Sequence, residues 1–302
     1  MNLKQAQYIL TILEEGSIIK AAQKLFVTQP ALSQLLKNAE SEIGNRIFVR
    51  GSTPLQLTQA GETYAAYARK LVLLDKSLSN EMTDINDERA GAFRFGIPRG
   101  VAGNLLLNIV PLYVQRYPRV DLRITEIGST AIENKLLNGA LDVGLIRAGA
   151  VSPDLNAVLV KEDHLVLLTG INSPFAHTHE HETNVRFSET SQELFITKPK
   201  GNRSRFIFDQ LCNSCQIFPK ILFEFDQYYA AAQMAITCNC LMLTTSTLFE
   251  DYPQLNTQAR RYEISDISMR HDTYVCWPKE LHLTRYMRDW ISLVQDFYEK
   301  RH

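Results

Sequence analysis

The chain has 302 residues, 45% of them hydrophobic and 22% charged, which leaves room for two domains and a small third. That composition excludes collagen-like, disordered and disulfide-scaffold classes. Its 32 Lys+Arg against 33 Asp+Glu give a formal net charge of -1, which argues against coating nucleic acid or a membrane by bulk charge but leaves a local basic surface open. Five cysteines lack dense spacing, Lys4, Gln5, Gln7, Glu14 and Glu15 interrupt the opening apolar residues, and no apolar run reaches membrane-spanning length. A cytoplasmic, thiol-reduced protein with no membrane partner is expected.

Leu3, Ala6, Ile9, Leu10 and Leu13 follow helical spacing behind the capping residue Asn2 and stop at Gly16, which predicts a first helix over about residues 2–15. Ser17 caps a second over 18–25, with Ile18, Ala21, Ala22 and Leu25 on one face. Thr28 caps a third, to about residue 43, and Pro30 sits in its first turn, where donors have no intrahelical acceptor. Ala31, Leu32, Leu35 and Leu36 make its expected core face, which leaves Gln29, Ser33, Gln34 and Lys37 outside. Two short helices joined by a tight turn describe a helix-turn-helix, although an ordinary helical hairpin with a solvated face has the same spacing. Residues 47–50 and 55–57 read as two strands of a small wing around a turn at 51–54, and Thr58 then caps a long helix.

The order Ser17, Ala21, Ala22, Leu25, then Thr28-Gln29-Pro30-Ala31-Leu32-Ser33, then Glu40, Gly44, Phe48, Arg50 and Leu57-Thr58-Gln59-Ala60-Gly61 resembles the N-terminal domain of LysR-type transcriptional regulators over about sixty residues. The resemblance implies an N-terminal all-α winged helix-turn-helix, a long linker helix and a C-terminal α/β, two-lobed effector domain like a periplasmic binding protein. The divisions expected are 1–58 for the DNA-binding domain, 59–89 for the linker and 90–302 for the effector domain. Lobe I would take about 90–163 and 269–302, and lobe II about 164–268. It also implies sequence-specific binding of double-stranded DNA at an operator with inverted-repeat character, modulated by a small-molecule effector, with RNA polymerase as a further partner and no cofactor or metal. The third helix would lie in the major groove, with Gln29, Pro30, Ser33 and Gln34 facing bases, Thr28 and Lys37 nearer the backbone, and Ser17 and the wing residue Arg50 completing the DNA set. The residue chemistry agrees, since Gln pairs bidentately with adenine and Ser donates or accepts. Over the first 58 residues six cations face four carboxylates, a surplus of two. Many members carry Arg at the position of Gln34 and further bases at Asn38 and in the wing, so a shallow salt dependence is expected here.

From Thr58 to Asp87 the chain lacks Pro, and Tyr64, Tyr67, Leu71, Leu74, Leu78, Met82 and Ile85 recur at threes and fours. Such a stripe usually packs on its own domain, but a segment bridging two domains has little of its own chain to cover it. The resemblance implies pairing with the same helix of a second subunit, in a homodimer or a homotetramer.

Beyond Gly91 a βαβ rhythm begins. Strands are expected at 92–97, 121–127 and 142–146 with helices at 103–117 and 130–137, then strands at 193–197, 220–225 and 240–244 with helices at 203–215 and 227–236. Crossings near 164–168 and 264–268 would join two halves around a cleft, and a last helix over 281–300 would return to the first half. Ligands of open sheets sit beyond the carboxyl ends of strands and at helix N-termini. That rule selects Pro98, Arg99 and Gly100; Ser129 and Thr130; Arg147; Lys198, Asn202 and Arg203; Asp226; and Thr245. Four cations in this set suggest an anionic effector, a carboxylate being the natural guess.

Cys212 and Cys215 form a C-x-x-C and Cys238 and Cys240 a C-x-C. Zinc or redox chemistry is conceivable, and peroxide-sensing members of the family use cysteines in this half, but buried, inert thiols are the better expectation. His177, His179 and His181 read as a solvated loop. The chain has no P-loop, G-x-G-x-x-G, G-x-S-x-G or H-E-x-x-H, so an enzyme is not expected. A plain ligand-binding protein would leave residues 1–58 without a purpose.

Overall fold

The computed structural model describes residues 1–86, 89–266 and 270–300. Asp87, where the Pro-free helical stretch was expected to end, and the crossing residue Ser268 lie outside them.

Three helices build the head: α1 (Leu3–Glu15), α2 (Ile18–Lys24) and α3 (Gln29–Ile43). Asn2 and Gln5 form a reciprocal capping box at the start of α1, and Gly16 ends it in the left-handed conformation at φ 59°. Ile9, Ile12, Ala21, Ala22, Leu32 and Leu36 pack with Ile47 and Phe48 of the wing. Three expectations need correction. Thr28 stands at the start of α3, but its side chain makes no capping hydrogen bond. Ala31 is exposed, since Leu32, Leu36 and Ala39 carry the buried line and residue 31 lies a step off it. The wing is a hairpin held by one bridge, Phe48 with Leu57, rather than by two strands. Its further ties are Val49 N–H donating to the Gln56 carbonyl at 2.8 Å and Ile47 N–H donating to the Glu40 carboxylate at 2.8 Å.

The linker helix α4 (Gln59–Ile85) begins at Thr58, whose Oγ1 accepts from Gly61 N–H at 2.9 Å. A Cβ at Gly61 would lie 2.0 Å from the Ile47 carbonyl oxygen, so glycine is what lets the helix start against the wing. The apolar stripe divides along its length. Tyr64 is buried in the head and Leu71 packs partly against it, whereas Tyr67, Leu74, Leu78, Met82 and Ile85 stay exposed.

The opposite side of α4 is covered by its own chain, contrary to the expectation that little would be available. Leu73 is buried beside Gly139, Arg69 Nε donates to Asn138 Oδ1 at 2.6 Å, and Asn80 Nδ2 donates to the His282 carbonyl at 2.8 Å. Lys76 and Arg94 both pair with the buried Asp142.

The rest comprises β1 (Ala90–Ile97), α5 (Ala102–Arg116), β2 (Arg119–Glu126), α6 (Ser129–Leu137), β3 (Val143–Ala148), β4 (Leu155–Lys161), β5 (Leu165–Gly170), α7 (Pro174–Thr178), β6 (Asn184–Val185), β7 (Leu194–Thr197), α8 (Arg203–Ser214), β8 (Lys220–Glu224), α9 (Tyr228–Thr237), β9 (Met242–Thr245), α10 (Thr247–Asp251), β10 (Ala259–Ile264), β11 (Asp272–Pro278) and α11 (Arg285–Glu299). One sheet runs β2-β1-β3-β11-β4, with β1 parallel to β2 and β3 and β11 antiparallel to its neighbours. The other runs β6-β10-β5-β9, with β7 and β8 paired beside it and joined to it through the Phe195–Leu241 bridge. The chain passes between the sheets twice, before β5 and before β11, and His164 bridges Arg270 where the two passages meet. Helix α11 returns to the first sheet, where Trp290 packs edge-on against Phe93, Phe95 and Tyr113 at 5.6, 5.0 and 4.9 Å between ring centres. Expected elements recur within a few residues of their ranges, whereas β4, β5, β6, β10, β11, α7 and α10 carried no clear sequence signal. No described helix is long and apolar enough to cross a membrane.

Candidate DNA-reading face and interlobe cavity

The first half of α3 presents Gln29, Pro30, Gln34 and Lys37 as exposed side chains, with Ser33 half-buried beside them. Gln34 Nε2 donates to Asn38 Oδ1 at 2.9 Å, so both amides already lie along one outer face. Thr28 is exposed at the head of this face, and Arg50 is exposed at the wing. Ser17 has a structural task, its hydroxyl accepting from Lys20 N–H at the start of α2. Lys24 pairs with Glu14 and Glu15 at 2.9 and 2.7 Å, which removes one of the few head cations from service.

Between the two sheets lies a cavity of about 290 Å³. Pro98, Arg99, Ser129, Thr130, Arg147, Lys198, Asn202, Arg203 and Asp226 line it, as expected from strand ends and helix starts. Two expected residues stand elsewhere. Gly100 faces an adjoining groove, and Thr245 sits beneath the wall, accepting from the Arg147 guanidinium at 2.6 Å. Lys200, Tyr228 and His271 belong to the lining and were missed. Lys200 could have been read from its place two residues after Lys198, whereas His271 arrives from the second crossing and carried no signal.

Five cations, Arg99, Arg147, Lys198, Lys200 and Arg203, thus share the cavity with one carboxylate, Asp226. Arg147 is buried and donates to Asp163 at 2.7 Å, and its Nε has no partner among the described residues. Burial pushes the Asp163 carboxyl up, but Arg147 and the hydroxyls of Thr247 and Ser246 outweigh it and hold the group below the ordinary carboxylate range. Lys198 lies 4.8 Å from the Tyr228 ring centre and donates to the Asp226 carbonyl. Burial, with Arg99 and Arg147 nearby, lowers its ammonium to about 8 against the pull of Asp226. His271 is buried and held neutral, pushed down to about 3 by burial and by Arg147. Helix α6 opens onto the cavity behind Gly128, with no side chain capping its first amides, and α8 opens there behind Asn202. Those orphan donors and the positive helix ends add to the cationic field.

Helix α6 also touches the reading end. At its far end Lys135 lies 3.5 Å from Glu14 of α1, Asn138 accepts from Arg69 of α4, and Gly139 rests against Leu73. One nine-residue rod therefore spans from the cavity to the head and linker.

All five cysteines are free; Cys212, Cys240 and Cys276 are buried, while Cys215 and Cys238 are only half-buried, so burial of all four paired cysteines does not hold. Burial pushes the Cys212 thiol up to about 11 and Cys276 up to about 12. Among the described residues no group of three or more His, Cys, Asp or Glu could hold a metal. His179 is not a solvated loop residue, since its ring stacks on Phe175 at 4.2 Å.

Two family models match: "LysR substrate binding domain" over residues 86–299 and "Bacterial regulatory helix-turn-helix protein, lysR family" over residues 3–62. The chain belongs to the LysR family of transcriptional regulators. As a LysR regulator it is a DNA-binding transcription factor with an effector-binding domain and not an enzyme. It is 28% identical over 216 residues to the HTH-type transcriptional regulator BenM of Acinetobacter baylyi, covering 69% of each chain. A probable RuBisCO transcriptional regulator of Cyanidioschyzon merolae is 26% identical over 214 residues, covering 70% of this chain and 69% of that one. Among solved structures, full-length OxyR of Pseudomonas aeruginosa aligns with TM-score 0.63 at 19% identity over 98% and 97% of the two chains, and full-length BenM with 0.55 at 21% over 99% and 97%. Full-length CbnR, solved with its target DNA, aligns with 0.51 at 17% over 98% and 99%. These likenesses extend the shared fold over the head, the linker helix and both lobes.

Proposed function

We propose that this LysR regulator binds an inverted-repeat operator as a dimer and changes its grip on that DNA when an anionic small molecule enters the interlobe cavity. The observation that carries the effector class is the lining itself, five cations and the uncapped start of α6 against one lining carboxylate, with Asp163 and Glu133 behind it pairing with Arg147 and Arg203. An anion replaces several weak internal contacts with charge-assisted hydrogen bonds. Residues 1–58 form the DNA-binding domain, with Gln29, Pro30, Ser33 and Gln34 reading bases and Thr28, Lys37, Arg50 and Ser17 near the backbone. Residues 59–89 join it to the effector domain at 90–302, with lobes at 90–163 with 269–302 and at 164–268. Tyr67, Leu74, Leu78, Met82 and Ile85 are the seam for a second subunit, being exposed along one side of α4 while the other side is already covered.

Exposed Leu112 on α5 and Phe218 after α8, 56% and 81% accessible, favour further contacts in a homotetramer. RNA polymerase is a partner of the DNA-bound form, and the cytoplasm is where these partners are met. Coupling requires unequal ligand affinity for two arrangements of the heads, and α6 is the element both sites can bias.

Calorimetry with anionic, neutral and cationic metabolites, followed by gel shifts on upstream DNA with and without the best ligand, tests the reading. Anions should bind and change the shift. A response only to cationic or wholly apolar ligands would remove the anionic effector, and loss of upstream DNA binding would remove the operator reading. In the Lys135→Ala, Arg69→Ala double variant the ligand should still bind while its effect on DNA affinity falls several-fold; an unchanged effect would remove α6 as the route.

A further inference from the structure

The 290 Å³ cavity shares one wall, made by Arg99, Asp226 and Tyr228, with a second and larger groove of about 800 Å³ between the starts of α5 and α9. The two chambers differ in chemistry. The first gathers five cations, whereas the second is lined by Gly103, Leu106, Leu107, Tyr229 and Tyr252 together with Gln227, the carboxylates of Glu126 and Asp226, and Arg99 as the one cation among the described lining residues. Tyr229 and Tyr252 are stacked at 4.4 Å, which gives the groove a flat aromatic side.

The dividing wall is thin. Gly100, at φ +87°, would place a Cβ 2.8 Å from that of Tyr228, so a glycine there is what lets this ring stand between the chambers. The rest of the wall is the ion pair of Arg99 with Asp226, whose side chains are 56% and 42% exposed. An exposed pair of this kind contributes little to stability and gives way readily when a better partner for the guanidinium arrives.

We propose that the effector is an elongated monoanion, with its carboxylate among Arg147, Lys198 and Arg203 and an uncharged apolar body lying past the Arg99–Asp226 pair in the α5–α9 groove. This rests on the anion reading given above and adds the shape and polarity of the rest of the ligand. The incoming carboxylate also competes with Asp226 for the Arg99 guanidinium, which turns toward it, and the wall opens along the line the tail follows. A cavity of 290 Å³ is small and polar for a complete ligand site, whereas the two chambers together have the size and mixed lining of one. Glu126 and Asp226 repel a second negative charge in the outer groove, so a dicarboxylate of the same length gains nothing from it.

The test is a calorimetric series of linear carboxylates, acetate to octanoate, on the full chain, with suberate as the dianionic control. Affinity should rise about three- to fourfold per methylene once the tail reaches the groove, and suberate should bind more weakly than octanoate. Gly103→Leu fills the groove at a position where a Cβ meets nothing within 4 Å. It should flatten the series while leaving acetate affinity unchanged. A flat series in the natural chain, with acetate still bound, overturns the two-chamber ligand alone. A steep series that survives Gly103→Leu, or suberate equal to octanoate, also overturns it. Failure of every carboxylate to bind overturns the anion reading beneath it.

Discussion

The reading head and the interlobe cavity use charge in opposite ways. The head meets a polyanion with six cations against four carboxylates over residues 1–58, and one of the cations is already paired with Glu14 and Glu15. The cavity gathers five cations and one carboxylate in its lining around about 290 Å³; Arg147 and Lys198 among them are buried, Arg99 and Lys200 are exposed, and Asp163 and Glu133 pair with Arg147 and Arg203 from behind. Exposed charges in water are screened within about 10 Å at ordinary salt, whereas those held out of water act at full reach. The head must therefore obtain affinity from hydrogen-bond geometry and from having two copies, while the cavity obtains it from the field.

The largest way to break that contrast is to separate the copies. Leu74→Asp with Leu78→Asp places carboxylates on the exposed seam without touching the head core, which Leu71 helps to fill. Operator affinity should fall by about 100-fold or more through loss of bivalent attachment, and sedimentation should show monomers. Undiminished dimerisation would move the interface elsewhere.

Next, Arg147→Ala leaves Asp163 buried without its cation and should cost about 3 to 5 kcal/mol of stability in denaturant unfolding. A loss below 1 kcal/mol would mean that the hydroxyls of Ser246 and Thr247 suffice for this carboxylate. In the head, Gln29→Ala should cost about 1 to 3 kcal/mol on the operator and relax one base position. Its salt dependence should not change, because no phosphate charge partner is lost. Equal loss on random DNA would assign Gln29 to the backbone instead.

The smallest effect is a pH profile. Lys198, lowered to about 8 by burial with Arg99 and Arg147 against Asp226, is cationic below that value and loses its proton above it. Carboxylate affinity should therefore be constant below pH 7 and fall by up to about tenfold from pH 8 to 9, and Lys198→Met should remove the slope. His271 adds no competing step there, being neutral down to about pH 3. A flat profile in the natural chain would take Lys198 out of contact with the ligand.

The run Thr28-Gln29-Pro30-Ala31-Leu32-Ser33, the spacing of Tyr67, Leu74 and Leu78, and the strand-to-helix turns at Pro98, Ser129 and Arg203 were legible because each is a local pattern within a few residues. What remained hidden was the pairing of distant segments. Asn80 meets His282, Arg69 meets Asn138, and Tyr228 at the start of α9 meets His271 of the second crossing at one cavity.

From the sequence alone came the family, the helix-turn-helix, the α/β alternation and the inference that near-neutral total charge conceals a modestly basic head. Those properties depend on periodicity, capping and turn chemistry, which act over short stretches of chain. Only the tertiary structure decided which side of α4 is free, that α6 spans from the cavity to the head, and that Arg99 and Asp226 divide a cationic chamber from an apolar one. Each of these depends on side chains tens to hundreds of residues apart being packed together, and no local pattern encodes which of them will meet.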